Sequence, residues 1–122
     1  MGLAIAKELM MKGADVELVL GPTQLEFATN GMKITRVNTA DEMLQACNKA
    51  FEKADIGVMT AAIADYTPVT KSDQKIKKTE SVFSLDLMKT KDVLKDLGTK
   101  KKEGQVLVGF ALETNNEREY AL

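Results

Sequence analysis

Histidine is missing altogether, and cysteine occurs once, at Cys47. Without histidine the chain cannot assemble a Ser-His-Asp or Cys-His nucleophile, a histidine general base or a histidine-ligated metal site from its own residues. A single cysteine excludes an intrachain disulfide and a zinc cluster. Tryptophan is absent too, and four Phe with two Tyr leave no stacking platform for nucleic-acid bases. Seventeen basic residues against eighteen acidic ones give a net charge of −1, so the global attraction that nucleic-acid binders rely on is lacking and no nucleic-acid partner is expected. No run of about 18 apolar residues offers a membrane span, and no membrane partner is expected. Lys7, Glu8 and Lys12 interrupt the first apolar run, which does not read as a secretory signal. A reducing cytoplasm is the expected compartment.

What is present is an ordinary globular composition, 44% apolar and 29% charged over 122 residues. That length fits one domain, able to bury about two thirds of its unfolded surface without a disulfide or metal. No repeat, linker or low-complexity run divides it. Between Gly2 and Lys12, Leu3, Ala6, Leu9 and Met10 recur at helical spacing, and Gly13 is a helix stop. Val16 to Leu20 reads as a buried strand running into the Gly21-Pro22 turn, and Lys33 to Val37 as a second strand. Thr39 to Lys53 carries the clearest helical signal. Its Thr39-Ala40-Asp41-Glu42 start fits a capping box, and Met43, Leu44, Cys47, Ala50, Phe51 and Ala54 form one apolar stripe. On that stripe Cys47 reads as a small core residue rather than a nucleophile.

Asp55 to Ala62 reads as a short buried strand rich in small residues. Ala64 to Thr79, with Pro68 and four lysines, reads as a long loop. Ser81 to Lys89 alternates, which predicts a strand with Phe83, Leu85 and Leu87 on a buried face. Lys91 to Lys102 is expected to be a helix with Val93, Leu94 and Leu97 inward, Gln105 to Ala111 a buried strand, and Asn115 to Leu122 the start of a further helix. This order predicts an α/β fold, a Rossmann-like, doubly wound and mostly parallel sheet with helices on both faces. The first element is a helix with no strand before it, so the fold is expected to lack its first strand and to have an open sheet centre. The expected organisation is one incomplete domain spanning residues 1–122.

Ligands of doubly wound sheets bind beyond the carboxyl ends of the strands, which selects the segments after Leu20, Ala62 and Phe110. Small side chains around Ala61-Ala62-Ile63-Ala64 allow a ligand close to the backbone. Asp65 either caps a turn or supplies a hard oxygen for Mg²⁺ or a ribose hydroxyl, and spacing leaves both open. Lys75-Ile76-Lys77-Lys78 follows on the loop that Asp65 begins. In extended backbone Lys75 and Lys77 share a side, so they either converge on a polyphosphate or form a solvated charged face. Lys100-Lys101-Lys102 is explained by a helix C-terminus, where the macrodipole favours cations.

Two resemblances emerge from these residues. Gly2 to Leu9 followed by Gly13-Ala14-Asp15-Val16 is similar to the first helix of short-chain dehydrogenases. The chain has no G-x-G-x-x-G, and Tyr66 meets a lysine only at Lys71, one residue beyond a Tyr-x-x-x-Lys pair. The second resemblance covers the whole chain. Met1-Gly2, Leu20-Gly21-Pro22-Thr23, Ala61-Ala62-Ile63-Ala64-Asp65-Tyr66, Lys75-Ile76-Lys77-Lys78 and Val108-Gly109-Phe110-Ala111-Leu112-Glu113-Thr114 occur in an order and spacing that resemble the phosphopantothenoylcysteine synthetase domain of bacterial coenzyme A biosynthesis proteins, truncated at both ends.

That resemblance implies a CTP-dependent ligase that joins 4′-phosphopantothenate to cysteine through an acyl-cytidylate, with Mg²⁺, as a homodimer. It implies that Asp65 holds the metal, that Lys75 neutralises the phosphates, and that Met59, Thr60, Ala61, Met88, Lys89, Thr90, Lys91 and Phe110 line the cytidine site. Departures accompany it. The family's Ser-Asn-His-Ser-Ser-Gly-Lys-type turn before Met-Gly and its lysines after the last helix do not occur in these 122 residues. Thr90-Lys91-Asp92 stands where the family has Asn-Pro-Asp, and no FMN site is expected in this chain. The alternatives are a nicotinamide-binding, short-chain-reductase-like protein and a non-catalytic oligomerisation partner.

Overall fold

The computed structural model describes residues 1–29, 31–72, 74–75 and 83–110. Nine elements follow in the order α1 (Gly2–Met11), β1 (Glu17–Leu20), β2 (Lys33–Arg36), α2 (Ala40–Phe51), β3 (Ile56–Met59), β4 (Tyr66–Pro68), β5 (Leu87–Lys89), α3 (Val93–Lys100) and β6 (Val106–Gly109). Local signals mark the starts of α2 and α3 and the turn after α1. Thr39 Oγ1 accepts the Glu42 amide at 3.2 Å, and the Glu42 carboxylate reaches back to accept the Asn38 amide at 2.6 Å. The reciprocal bond of the capping box therefore falls on Asn38 rather than on the Thr39 amide. Asp92 caps α3 by accepting the Lys95 amide at 3.0 Å. Gly13, at φ 88°, ends the turn that follows α1, a conformation open to glycine at little cost.

The core lies between α2, α3 and the strands. Val37, Met43, Cys47, Phe51, Val93 and Leu97 form one buried cluster, with Val19, Met59, Ile63 and Leu107 packed against it. Leu97 has no exposed surface. Burial raises the Cys47 thiol pKa, in keeping with a core role. The two helices are also joined by polar groups. Asn48 Nδ2 donates to Asp96 Oδ2 at 2.8 Å, and Lys100 Nζ donates to Asp96 Oδ2 at 2.6 Å and to Asn48 Oδ1 at 2.9 Å. At the far end of α2, Gln105 Nε2 donates to the carbonyls of Phe51 and Ala54, both at 2.7 Å, and satisfies acceptors that the helix leaves open. β3 then runs so close to α2 that a Cβ on Gly57 would meet the Phe51 ring at 2.9 Å.

The strands form three pairs. β1 pairs with β2 in parallel, Glu17 opposite Lys33 and Leu20 opposite Arg36. β3 pairs with β6 in parallel, Ile56 opposite Val106 and Met59 opposite Gly109. α2 carries the chain back from the carboxyl end of β2 to the amino end of β3, so both pairs run the same way. Neither β1 nor β3 pairs on its second side among the described residues. This is the Rossmann-like α/β architecture without its first strand.

Three expectations need correction. The segment read as a loop from Ala64 contains β4, which holds Pro68 because a two-stranded ribbon is all edge and an edge tolerates proline. β5 covers only Leu87–Lys89 of the expected Ser81–Lys89 strand, of which Ser81 and Val82 lie outside the described residues. Phe83, Leu85 and Leu87 are more than half exposed, as is Met88 on the other face, because no layer among the described residues packs on either side of the ribbon. The strand expected over Gln105–Ala111 is β6, shorter and with Val106 and Val108 exposed. The terminal helix expected from Asn115 lies outside the described residues.

Two outcomes follow from this packing. Leu97→Ala is expected to lower the unfolding free energy by about 3 kcal/mol and Thr39→Ala by about 1 kcal/mol, read from urea midpoints at constant m. The Asp96 carboxyl is held below the ordinary value of 3.8, mainly by the Lys100 and Asn48 hydrogen bonds. Its folded value is depressed, so its stabilising contribution is present above 3.8 and is lost as pH falls below it. Asp96→Asn is expected to flatten the acid limb of a stability-versus-pH curve in that window and to leave its slope near neutrality unchanged.

Candidate functional site

The carboxyl ends of the parallel strands form the rim on which doubly wound folds place ligands. Met59 is the last residue of β3 and Gly109 the last of β6, and they are paired, so Thr60 and Phe110 leave the sheet side by side. Met59 and Thr60 are half-buried, whereas Ala61 is exposed and the Phe110 ring is 53% exposed. This is the arrangement of a small-residue ledge flanked by one free aromatic face.

From Ala61 the chain reaches Asp65 in four residues. The Asp65 carbonyl accepts the Thr90 amide at 2.8 Å, and the ribbon continues through Tyr66 opposite Lys89 and Thr67 opposite Met88. Four expected site residues, Asp65, Met88, Lys89 and Thr90, are therefore brought together by backbone pairing. The Asp65 side chain is exposed and makes no ion pair among the described residues. No group of three or more His, Cys, Asp or Glu is arranged around a common point among the described residues. A lone carboxylate suits Mg²⁺ that arrives already bound to phosphate oxygens and water.

Two expected members stand apart. Lys75 is exposed and makes no hydrogen bond or ion pair among the described residues, and its motif companions Ile76, Lys77 and Lys78 lie outside them. Lys91 turns toward α2, its Nζ 3.4 Å from Asp41 Oδ1, a contact between two side chains that are both more than two thirds exposed. Such a pair contributes little and leaves Lys91 free to move.

Sequence reasoning missed one feature of the site. Among the described residues Thr90 Oγ1 is buried without a hydrogen-bond partner, and no pattern in a single sequence marks such a hydroxyl. The segment after Leu20, selected from the sequence without any site residue assigned to it, borders a hollow of about 360 Å³ beyond the carboxyl ends of β1 and β2, lined by Thr23, Gln24, Leu25, Glu26, Phe27, Thr29 and Arg36. A larger depression of about 500 Å³ lies at the opposite end of the strands, where Asn48, Phe51, Lys100, Lys102 and Gln105 line it. Asn48, Lys100 and Gln105 are engaged there in joining α2 to α3 and β6, and Lys102 Nζ donates to the Glu52 carbonyl at 2.8 Å, while Gln45 and the Glu52 carboxylate complete the lining.

Comparison with known proteins identifies the family and supports the fold. Residues 1–122 match the family described as the DNA/pantothenate metabolism flavoprotein C-terminal domain. The chain belongs to that family. Among its relatives, the coenzyme A biosynthesis bifunctional protein CoaBC of Bacillus subtilis is 42% identical over 121 residues, covering 99% of this chain and 30% of the relative. A cysteine/cysteine sulfinic acid decarboxylase from an unknown prokaryotic organism is 44% identical over 117 residues, covering 96% of this chain and 33% of the relative. The crystal structure of the C-terminal domain of CoaBC superposes with a TM-score of 0.79 at 38% identity, over 98% of this chain and 55% of that one. The chain thus spans about a third of the length of these curated relatives. Membership of the pantothenate metabolism family and the superposition support the fold read above, and the rim is where such a domain carries its ligands. No helix among the described residues is long and apolar enough to cross a membrane.

The orphaned Thr90 hydroxyl yields a direct expectation. Thr90→Val should leave the unfolding free energy unchanged or raise it by up to about 1 kcal/mol, because it removes an unsatisfied buried group and keeps the branched shape. Thermal unfolding of the two proteins side by side measures the difference.

Proposed function

We propose that residues 1–122 are one incomplete domain of a CTP-dependent ligase that joins 4′-phosphopantothenate to cysteine in coenzyme A biosynthesis, acting in the cytoplasm. The observation that carries this reading is the rim itself. In a member of the pantothenate metabolism family, the Thr60-Ala61 ledge and Phe110 stand together, and Asp65 is tied by backbone pairing to Thr90.

In this reading the cytosine ring rests against Phe110 and the backbone of Met59, Thr60 and Ala61, with Met88, Lys89, Thr90 and Lys91 closing the other side. A base held largely by backbone groups needs small side chains at the ledge, which Ala61 and Ala62 supply. Asp65 would hold Mg²⁺, which when bound neutralises and orders the triphosphate oxygens. Lys75 would add its positive charge to the same phosphates.

A carboxylate oxygen of 4′-phosphopantothenate attacks the α-phosphorus of CTP, the bond to the β-phosphate oxygen breaks, and pyrophosphate leaves. The cysteine amine then attacks the acyl carbon, the acyl–phosphate bond breaks, CMP leaves with its electron pair, and the amine proton goes to solvent. The nucleophile of the first step is already ionised at neutral pH, so the demand on the protein is placement and neutralisation of negative charge.

A homodimer belongs to the same proposal. The β4–β5 ribbon exposes Tyr66, Val69, Leu85, Leu87 and Met88 by more than half each. An isolated two-stranded ribbon is marginal in water and gains stability from a further layer or strand. A second copy of the ribbon supplies one.

Calorimetric titration with CTP and Mg²⁺, with ATP and NADH alongside, tests the nucleotide half. Binding of CTP that requires Mg²⁺ is expected, with affinity reduced more than about tenfold in Lys75→Ala and less in Asp65→Asn, a loss on the order of 1.4 kcal/mol or more for the lysine. Unchanged affinity in both variants would overturn the assignment of roles. NADH binding with no response to CTP would favour a nicotinamide-binding protein instead.

A further inference from the structure

The candidate site has two halves. One is the ledge at the ends of β3 and β6, where Thr60 and Phe110 leave the paired residues Met59 and Gly109. The other is the end of the ribbon, where the Asp65 carbonyl holds the Thr90 amide. The ledge belongs to a parallel pair and the ribbon is a sheet of its own. Apart from the chain through residues 61–64, no sheet hydrogen bond among the described residues fixes one half against the other. A nucleotide base and its phosphates must nevertheless span both.

α3 runs between the two halves. Its N-cap, Asp92, stands two residues after Thr90 and accepts the Lys95 amide, which ties the ribbon end to the first turn of the helix. Val93 and Leu97 sink into the cluster shared with α2. Leu94, 39% exposed, is directed elsewhere and lies on Gly109, the last residue of β6. A Cβ on Gly109 would collide with Leu94 Cδ2 and stand 3.2 Å from Cδ1 and 3.4 Å from Cγ, so its three nearest atoms all belong to that one side chain. Gly109 is not among the glycines with positive φ, and its backbone does not call for glycine. The close approach of Leu94 does.

We propose that Leu94 and Gly109 are positioning residues of the site. The leucine, seated in the notch that the glycine leaves, sets the distance between the Phe110 ledge and the Asp65–Thr90 ribbon, and so decides whether one nucleotide can engage both. This rests on the nucleotide reading above and adds to it two residues that act through their neighbours. Carbon atoms in contact sit about 3.5–4.0 Å apart, so a methyl on Gly109 forces α3 and β6 apart by about 1 Å. Misplacement of that size in a site that must hold its ligand in one geometry costs on the order of a hundredfold.

The test is calorimetry on the full 122-residue chain with two ligands, each with Mg²⁺. CTP needs both halves, whereas inorganic tripolyphosphate has no base and needs only Asp65 and Lys75. Gly109→Ala is expected to lower CTP affinity by more than about tenfold and tripolyphosphate affinity by less than about twofold. Adding Leu94→Ala makes room for the methyl, so the double variant should return to within about threefold of the parent chain for CTP. A general loss of structure would weaken both ligands together, and a second truncation would not repair it. If Gly109→Ala does not fold, Leu94→Ala alone carries the test, because it loosens the same contact. CTP affinity should then fall by more than about threefold, with tripolyphosphate affinity within about twofold of the parent. Unchanged CTP affinity, parallel loss of both ligands, or a double variant no better than Gly109→Ala would each overturn the inference and leave the nucleotide reading standing. A parent chain that does not bind CTP would overturn that reading, and the inference with it.

Discussion

Everything else in this molecule depends on one buried seam, where Met43, Cys47 and Phe51 of α2 meet Val93 and Leu97 of α3. The two parallel strand pairs are not hydrogen-bonded to each other. What holds them in one body is that Val19 from one pair and Met59 and Leu107 from the other press against the same helical seam. Burial of apolar surface, at about 25 cal/mol per Å², is non-directional. Position must then come from groups that have direction. The Asn48–Asp96–Lys100 cluster sets how α3 lies along α2, and Gln105, bonded to the carbonyls of Phe51 at the end of α2 and of Ala54 just beyond it, sets where β6 begins.

That seam explains why the candidate site residues gather where they do. α2 and α3 return the chain to the amino ends of β3 and β6, so the residues that leave those strands emerge together on the far rim. Thr60 and Phe110 are neighbours because Met59 and Gly109 are paired, and Asp65 reaches Thr90 because one backbone bond closes the β4–β5 ribbon. Lysines at the other end are engaged in structure. Lys100 and Lys102 are bonded to Asn48, Asp96 and the Glu52 carbonyl, which makes that cluster a fastening rather than a site.

The elements whose cause is local were legible in the sequence. Thr39 and Glu42 mark the start of α2, the stripe through Cys47 and Phe51 marks its buried face, and Gly13 marks the turn after α1. The motif order pointed to the segments after β3 and β6, where Asp65 and Phe110 stand. The ribbon was misread because alternation in Phe83, Leu85 and Leu87 implies a covered face only if another layer exists to cover it. A sequence records the pattern and not the neighbour. The Asp65–Thr90 backbone bond and the cross-element bonds of Gln105 escaped for the same reason, since each joins residues 25 to 54 positions apart.

The residues that these 122 positions bring to the proposed site are small, aromatic or charged, and the work they could do there is electrostatic. An acyl transfer that begins with a neutral hydroxyl needs a base close to neutrality. One that begins with an ionised carboxylate and a nucleoside triphosphate has the opposite problem, because two anions must be brought together. Fixed cations and a metal bound to phosphate answer that problem without proton transfer. In the proposed reaction the exposed Asp65 and Lys75 are suited to this. Their charges stay where solvent can equilibrate them until the triphosphate arrives, and a partner already bound to either in the free protein would have to be displaced first.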